Sequence, residues 1–382
     1  MRSDRSARTL VVLFLTVAFA AVNVAFLLTH GIGTAMPDAG FYLEGASQIA
    51  AGKWPDVRPG GWLIYPAIIA LCQRLGIGLA GVVAVQLVAA AAAAVVLHRL
   101  TARLSTDFAG AIAAALLILN PAIAGKHGEI LTDSLYTSFV VFAAFAVVDA
   151  RERRPRTWSH YALATAIVLV AAFLRPNGWS LIPVAAGYWV LPTLESRRHV
   201  AAAVGAIALA FALAVLTLPG VRRGIEFEDP SRALRSGVII ADGGRWTIAM
   251  PRDSILPPVE SDDETRGASA VVGYIGRHPW PALELMLRRL AAETLLVRPH
   301  YSLRHNVTIG IVVGLLYATA GVGFFRMRAK RPARLLVTIV VAQLLPVALA
   351  GSNWDGRYLL FALPLILVFS SATIDGWIHP QG

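Results

Sequence analysis

The sequence predicts an all-α, polytopic membrane protein with about ten transmembrane helices and amphipathic juxtamembrane helices in the first outside loop. Two observations carry this prediction. Hydrophobic residues make up 57% of the 382 residues and charged residues only 15%, against roughly 25% charged in soluble domains. Apolar runs of about 18–20 residues, long enough to cross about 30 Å of hydrocarbon, also recur along the chain.

The apolar runs define the spans in chain order. The first follows Arg2, Arg5 and Arg8, a pattern that also fits a signal peptide, but the run is longer than a typical signal core. We therefore interpret it as an uncleaved first helix. The predicted spans are 10–29, 78–98, 108–125, 131–149, 158–174, 178–193, 200–218, 306–325, 335–350 and 358–374.

The distribution of basic residues predicts that both termini are cytoplasmic. With the N-terminus inside, the inside loops hold 16 Lys and Arg residues and the short outside segments hold 6, the bias expected of cytoplasmic loops. Residues 62–75 are ambiguous, because 14 residues are short for a span and counting them as one would place the basic loops outside. We therefore interpret 62–75 as interfacial or re-entrant.

Three parts follow from this layout. Residues 1–218 form an N-terminal transmembrane module with its first outside loop at 30–77, residues 219–305 form an extracytoplasmic loop, and residues 306–382 form a C-terminal transmembrane module. The long loop has Pro and Gly throughout, which predicts short helices and loops without an independent domain. Its segment 280–297 predicts an amphipathic helix that can lie on the membrane. The apolar face of that helix is Leu283, Leu287, Leu290 and Thr294.

Composition and motifs exclude several classes of function. The net charge of +11 reflects loops that stay in the cytoplasm, so no nucleic-acid partner is predicted. A single cysteine, Cys72, allows no intramolecular disulfide. The sequence lacks the motifs of soluble phosphate-loop, serine-hydrolase and zinc-protease enzymes. His127 and Glu129 are possible metal ligands, but two candidates do not make a site, so no metal is predicted.

The first outside loop places a carboxylate at the start of a predicted helix. Asp38 precedes an apparent helix with Tyr42 on its apolar stripe. One interpretation is an N-cap, in which Asp38 accepts a backbone hydrogen bond and favours the positive helix end. Another is a chemical role at the membrane surface, and the two are compatible. Further charged residues of this loop are Glu44 and Lys53.

Other ionisable residues also lie at predicted helix ends on the outer side. Arg58 precedes Pro59, where its guanidinium either meets a phosphate bidentately or snorkels to the interface. Asp133 lies where it can cap the fourth span. The spans themselves are nearly free of charge, which disfavours a proton- or ion-coupled transporter. The remaining residues of this kind are Arg175, at the end of one span, and Asp355 and Arg357, before the last.

The order of these residues along the chain resembles the GT-C superfamily of integral-membrane glycosyltransferases. It is most similar to the bacterial branch near the protein O-mannosyltransferases and the lipid A aminoarabinose transferases. The resemblance covers 1–195 and 350–372 and hardly touches the long loop. The motifs that carry it are Asp38, Arg58-Pro59, Leu131-Thr132-Asp133-Ser134-Leu135, Arg175-Pro176, and Arg357-Tyr358-Leu359-Leu360 with Pro364.

The resemblance implies a reaction and roles for particular residues. A sugar would move from a polyprenyl-phosphate donor to an acceptor hydroxyl at the outer face of the bacterial cytoplasmic membrane. Asp38 is implied as the general base, Asp133 as an assisting acid residue and Arg58 as a ligand of the donor phosphate. That branch usually has Lys before two prolines, whereas this chain has Arg58-Pro59-Gly60.

The chemistry agrees with those roles independently. A phosphate monoester is a good leaving group, so the reaction needs a cation for its charge and a positioned base, which contributes roughly 10²–10⁴-fold. A single displacement inverts the anomeric centre. Arg175 and Arg357 are further predicted phosphate partners. The predicted substrate-contacting residues are Tyr42, Glu44, Lys53, Glu129 and Tyr358.

Two other functions stay open at this point. One is a transporter or flippase for a lipid-linked saccharide, and the other is a non-catalytic membrane subunit of a cell-envelope complex, in which Asp38 is only a cap. The partners implied by the enzyme are the polyprenyl-phosphate-linked sugar, membrane lipids and a lipid, glycan or protein acceptor. No cofactor is implied, and although a divalent cation is compatible with the chemistry, no residue pattern indicates one.

Overall fold

A computed structural model describes residues 2–55, 63–153, 155, 157–190, 230–241, 248–249 and 268–380. The predicted span 200–218 and the predicted phosphate ligand Arg58 lie outside these residues. The elements are α1 (Arg2–His30), α2 (Pro37–Ala50), α3 (Ile64–Arg74), α4 (Gly78–Leu104), α5 (Asp107–Ile118), α6 (Pro121–Gly125), α7 (Asp133–Glu152), α8 (Trp158–Leu174), a 3-10 helix (Pro176–Ser180), α9 (Leu181–Val190), α10 (Pro230–Ser236), β1 (Val238–Ala241), β2 (Ile248–Ala249), α11 (Ala268–Arg277), α12 (Pro279–Leu295), α13 (Leu303–Met327), α14 (Arg331–Ala350), β3 (Ser352–Asn353) and α15 (Leu359–Ile378).

The described elements form an all-α, multi-pass membrane protein. Six described helices are long and apolar enough to cross a bilayer, namely α1, α4, α7, α13, α14 and α15. The helices α5 and α8 are apolar but shorter, at 12 and 17 residues. The predicted fold class is therefore confirmed.

One predicted span is wrong as a continuous helix. Residues 108–125 form α5 and α6, and the helix is interrupted between Ile118 and Pro121. Asn120 occupies the cap position of α6, where its side chain accepts hydrogen bonds from the backbone N–H groups of Ala122 and Ile123. Pro121 has no N–H to continue α5 and fits the first position of a new helix. The apolar run alone did not reveal this interruption.

Helix α15 forms the centre of the bundle. It packs against α5, α7, α13 and α14, and most of its side chains are buried. Helix α7 is also buried over most of its length, whereas α1 and α13 lie at the periphery with largely exposed apolar faces. Such exposed apolar faces are expected where lipid, not water, surrounds the protein.

The first outside loop folds into two short helices. Helices α2 and α3 pack against each other, and α3 also packs against α4. At 11 residues, α3 is about 17 Å long by helix geometry, which is too short to cross about 30 Å of hydrocarbon.

The described part of the long loop contains short helices, as predicted, and two strands, β1 and β2. The sequence did not predict these strands, which form a small sheet with β3. Strand β1 pairs with β2 in antiparallel fashion and with β3 in parallel fashion. Helix α12 lies beside β1 and β3 and against α14. Its Leu283 and Leu287 are exposed, as is Trp280, so the predicted apolar face points away from the protein. An exposed apolar stripe of this kind suits a helix at a membrane surface.

Close helix packing gives a first testable prediction. A Cβ at Gly323 in α13 would collide with the backbone carbonyl oxygen of Phe369 in α15. We expect Gly323→Ala to destabilise the protein by about 1–3 kcal/mol through overpacking. Gly314 in the same helix has nothing within 4 Å of that position, so Gly314→Ala serves as the matched control. Thermal unfolding in detergent measures both, and equal melting temperatures for the two variants would contradict the close crossing.

Candidate active site

Four helix ends meet at one end of the bundle. Helices α2, α7 and α15 begin there and α8 ends there, since their terminal residues contact one another as described below. The opposite end holds the ion pair of Arg103 with Asp149 and the hydrogen bond from Thr106 to Asp375. The two ends are about 30 Å apart, because α7 joins them with 20 residues at 1.5 Å per residue.

The start of α2 contacts the loop before α15 through an ion pair. Arg357 donates from Nη2 to Oδ2 of Asp38 at 2.8 Å, across 319 positions of sequence. The side chains are 11% and 15% exposed, respectively. The cap position of α2 is Met36, whose side chain makes no capping hydrogen bond, and Asp38 lies two residues further along. The Asp38 side chain therefore lies in an ion pair with Arg357 and does not act as an N-cap.

A second buried ion pair joins α7 to the end of α8. Arg175 Nη1 lies 3.1 Å from Asp133 Oδ2, and the Asp133 side chain is only 1% exposed. Arg175 also donates to Thr132 Oγ1 at 3.1 Å, and the Tyr42 hydroxyl lies 3.3 Å from that oxygen. Thr132 occupies the cap position of α7, and its side chain makes no capping hydrogen bond. The Asp133 carboxylate instead pairs with Arg175, so the predicted capping role of Asp133 is wrong.

Lys126 forms ion pairs with two further carboxylates, one of which also contacts the backbone of Arg357. Its Nζ lies 2.9 Å from Glu129 Oε2 and 3.3 Å from Asp355 Oδ2. Asp355 Oδ1 in turn accepts a hydrogen bond from the backbone N–H of Arg357 at 3.2 Å. Burial lowers the pKa of Lys126, but the carboxylates of Asp355 and Glu129 outweigh it, so the pKa lies above the usual lysine value. Lys126 is therefore a cation at neutral pH.

Aromatic rings form one wall of this cluster. The Arg175 guanidinium lies 4.7 Å from the ring centroid of Phe361 and 5.2 Å from that of Tyr358. The Arg357 guanidinium lies 5.6 Å from the ring centroid of Tyr358. Cations at such distances are attracted to the faces of aromatic rings. Burial raises the pKa of Tyr42 to about 12, so its hydroxyl stays protonated.

A buried polar network holds the loop that carries Lys126. The Tyr65 hydroxyl donates to Gln86 Oε1 at 2.8 Å. The Gln86 amide donates to the backbone carbonyl oxygens of His127 and Glu129 at 2.8 and 3.0 Å. The His127 ring lies 2.7 Å from Ser134 Oγ, and burial lowers its pKa to about 4. His127 is thus a neutral structural residue of the loop.

Two polar atoms of the cluster are buried without a hydrogen bond. Among the described residues of the cluster these are Oδ1 of Asp133 and Nε of Arg357, whereas Asp133 Oδ2 contacts Arg175 Nη1 in the ion pair. Buried polar atoms are almost always hydrogen-bonded, so each exception calls for an explanation. The two guanidiniums and the lysine beside these atoms are groups that can bind an anionic ligand.

The structure brings some of the predicted site residues together and leaves others apart. Asp38, Tyr42, Asp133, Arg175, Arg357 and Tyr358 come together, and Glu129 joins them through Lys126. Glu44 and Lys53 are exposed on and after α2. Arg58 falls outside the described residues. Within the described chain, no group of three potential metal-ligating side chains comes together.

The prediction missed three members of the cluster. None of Lys126, Thr132 and Asp355 was predicted as a site residue. The spacing of Lys126 and Glu129, three residues apart, and of Asp355, two residues before Arg357, was the available signal. Neither spacing indicates that these loops meet, because their contacts span 229 positions.

Comparisons with known proteins add one structural likeness. No protein-family model matches the chain, and no curated relative matches it. It is similar to the crystal structure of ArnT from Cupriavidus metallidurans in the apo state, with 14% identity and a TM-score of 0.49. The match covers 97% of this chain and 60% of that one.

The buried histidine predicts a pH dependence of stability. The folded-state pKa of His127 is about 4 against an ordinary 6.5, so the unfolded chain binds a proton first as pH falls. Its contribution to stability is present above pH 6.5 and is lost towards pH 4, by about 3 kcal/mol in total. We expect His127→Gln to flatten the fall of the melting temperature in detergent between those pH values. A pH profile identical to wild type would exclude His127 as its source.

The Asp133–Arg175 pair predicts asymmetric effects of substitution. Arg175→Ala leaves the Asp133 carboxylate buried without its nearest cation, which we expect to cost about 3–5 kcal/mol. Adding Asp133→Asn to that variant removes the uncompensated charge and should restore part of the loss. Thermal unfolding of the single and double variants measures both. If Arg175→Ala melts like wild type, the pair does not stabilise this end of the bundle.

Proposed function

We propose that this protein is a glycosyltransferase that moves a sugar from a polyprenyl-phosphate donor to an acceptor hydroxyl. The contact of Asp38 with Arg357, within a cluster that also holds Arg175 and Lys126, is the observation that carries the proposal. A carboxylate supplies a base and the adjacent cations supply ligands for a phosphate, which are the two requirements of this reaction. All of these groups lie at one end of the helices and not at mid-span.

The proposed step is a single displacement. The acceptor oxygen attacks the anomeric carbon while the bond from that carbon to the phosphate oxygen breaks. The leaving polyprenyl monophosphate keeps the electron pair, and the acceptor proton goes to the carboxylate of Asp38. The anomeric centre is inverted. Arg357 and Arg175 offset the charge that develops on the leaving phosphate, with Asp133 orienting Arg175.

The ion pairs support an exchange of partners when the donor binds. The cluster holds four carboxylates and three cations among the described residues, so every cation faces a carboxylate. A donor phosphate offers Arg357 a stronger, bidentate partner. Its arrival would draw the guanidinium from Asp38 towards the phosphate and leave Asp38 to accept the acceptor proton. Donor binding would thereby prepare the base.

We place the cluster on the outer side of the bacterial cytoplasmic membrane. The loops at the opposite end of the bundle carry most of the arginines counted as inside, and such loops stay in the cytoplasm. With this orientation the segment 219–305 lies on the same outer side as the cluster, where it can recognise the acceptor. A transporter or flippase is less favoured, because the described ion pairs of the site lie at helix ends and not at mid-membrane.

The first test of the proposal is Asp38→Asn. We expect transfer to fall by roughly 10²–10⁴-fold at a temperature where the variant is still folded, although loss of the pair with Arg357 lowers its melting temperature. Glu152→Gln, an exposed carboxylate at the opposite end of the bundle, is the control and should keep full activity.

The product is identified in cells. Mass spectrometry of envelope lipids and glycans compares a deletion strain with the same strain carrying wild type, Asp38→Asn or Glu152→Gln. A sugar that wild type and Glu152→Gln restore, but Asp38→Asn does not, supports the enzyme. Full restoration by Asp38→Asn would remove Asp38 from the mechanism and favour the transporter or subunit.

A further inference from the structure

The loop that carries Arg357 is held by side chains from a different part of the chain. Residues 354–358 connect β3 to α15 and include Asp355 and Arg357. Strand β3 holds this loop only at its start, because its pairing with β1 is limited to Ser352 and Asn353. The position of Arg357 therefore depends on side-chain contacts, and besides Asp38 and Lys126 these come from the end of α12.

Glu293 ties the two ends of this loop together. Its side chain is fully buried. Oε2 accepts hydrogen bonds from Ser352 Oγ at 2.7 Å and from the backbone N–H of Asn353 at 3.3 Å. Oε1 accepts from the backbone N–H of Leu359 at 2.9 Å. A single carboxylate thus bridges the residues immediately before and after the loop.

The bond to Leu359 also satisfies the start of α15. Tyr358 occupies the cap position of that helix, and its side chain makes no capping hydrogen bond. The first N–H groups of a helix lack partners within the helix, and a negative charge beside them is favourable. Glu293 supplies both the acceptor and the charge from another helix. Arg357 lies two residues before this anchored N–H.

Arg298 holds the same loop from its first half. The side chain is almost fully buried, and it donates to the carbonyl oxygens of Asn353 at 3.0 Å and Trp354 at 2.8 Å. Its own backbone is held by Asn306, which accepts from the Arg298 N–H and donates to the Arg298 carbonyl oxygen. The Arg298 guanidinium therefore holds the backbone of the residues just before Asp355 in place.

A close approach at Gly356 completes the contact. Gly356 has a φ of +66°, and a Cβ there would collide with the Leu296 side chain. Positive φ and close packing both require glycine at this position. Glu293, Leu296 and Arg298 all lie within six residues at and just after the end of α12, so one short segment supports the backbone on both sides of Asp355 and Arg357.

We propose that Glu293 and Arg298 are positioning residues that hold Arg357 where it binds the donor phosphate. The inference rests on the proposed function, because it needs Arg357 to be a phosphate ligand. Burying a charged side chain is costly unless its polar atoms are hydrogen-bonded. The described hydrogen bonds of Glu293 all go to residues that flank the loop, and those of the Arg298 side chain go to the start of the loop and to its own segment at Ala292 and Val297. The end of α12 thereby sets the affinity of the enzyme for its donor.

The test measures binding of a polyprenyl monophosphate to the purified full chain in detergent. Glu293→Gln keeps the size of the side chain and loses the charge, and Arg298→Lys keeps the charge and loses the planar fork. We expect each to weaken binding about tenfold, the effect of losing a charge-assisted hydrogen bond. Arg288→Ala is the control, since Arg288 is exposed on the same helix and pairs with Glu284.

Double variants separate positioning from a general loss of stability. If Glu293 acts through Arg357, then Glu293→Gln combined with Arg357→Ala binds no more weakly than Arg357→Ala alone. Additive losses, or wild-type affinity in a folded Glu293→Gln and Arg298→Lys, would overturn the inference. If Glu293→Gln melts below the assay temperature, the Arg298→Lys cycle with Arg357→Ala decides between the same outcomes.

The design distinguishes this inference from the proposed function. If Arg357→Ala binds the polyprenyl monophosphate like wild type, Arg357 is not a phosphate ligand and both proposals fail at that residue. If Arg357→Ala weakens binding and the Glu293 and Arg298 variants do not, only the positioning role fails. Because Arg357 also offsets the charge that develops on the leaving phosphate, we expect Arg298→Lys to raise the KM for donor and to lower kcat as well.

Discussion

The architecture of one end of this protein depends on pairing charges that are largely removed from water. An isolated buried charge is costly, and removing one partner of a buried pair is more damaging than never having had the pair. The two ion pairs, Asp38 with Arg357 and Asp133 with Arg175, therefore require the starts of α2, α7 and α15 and the end of α8 to lie together. The apolar packing of α15 along the bundle brings those ends close, and the ion pairs determine their final positions.

The same pairing shapes what the site can do. Because each cation already faces a carboxylate, a ligand enters this cluster by replacing protein partners and not by filling an empty charge. A phosphate suits that exchange, since it accepts several charge-assisted hydrogen bonds from guanidinium groups. The rings of Tyr358 and Phe361 pack against the guanidiniums from one side. The positioning contacts of Glu293 and Arg298 add a second layer of support behind Arg357.

The agreement between sequence and structure follows from the range of the interactions involved. Long apolar runs predicted α1, α4, α7, α13, α14 and α15, because crossing a bilayer is a property of a contiguous segment. The break at Asn120 was missed, although its signals, a capping residue and Pro121, are local. The buried face of α12 carries Leu285, Arg289 and Glu293, whereas Leu283 and Leu287 face outward. No hydropathy pattern distinguishes these faces, since the pattern is the same whichever face the protein covers.

The sequence by itself determined that the chain is helical, that it crosses a membrane repeatedly and that its ionisable residues lie near helix ends. These properties follow from local composition and from the cost of placing charge in hydrocarbon. Only the tertiary structure decided which of those residues meet. Asp38 and Arg357 are 319 positions apart, and Lys126 reaches Asp355 across 229 positions. Contacts of that range depend on how the helices pack, and no spacing along the chain encodes them.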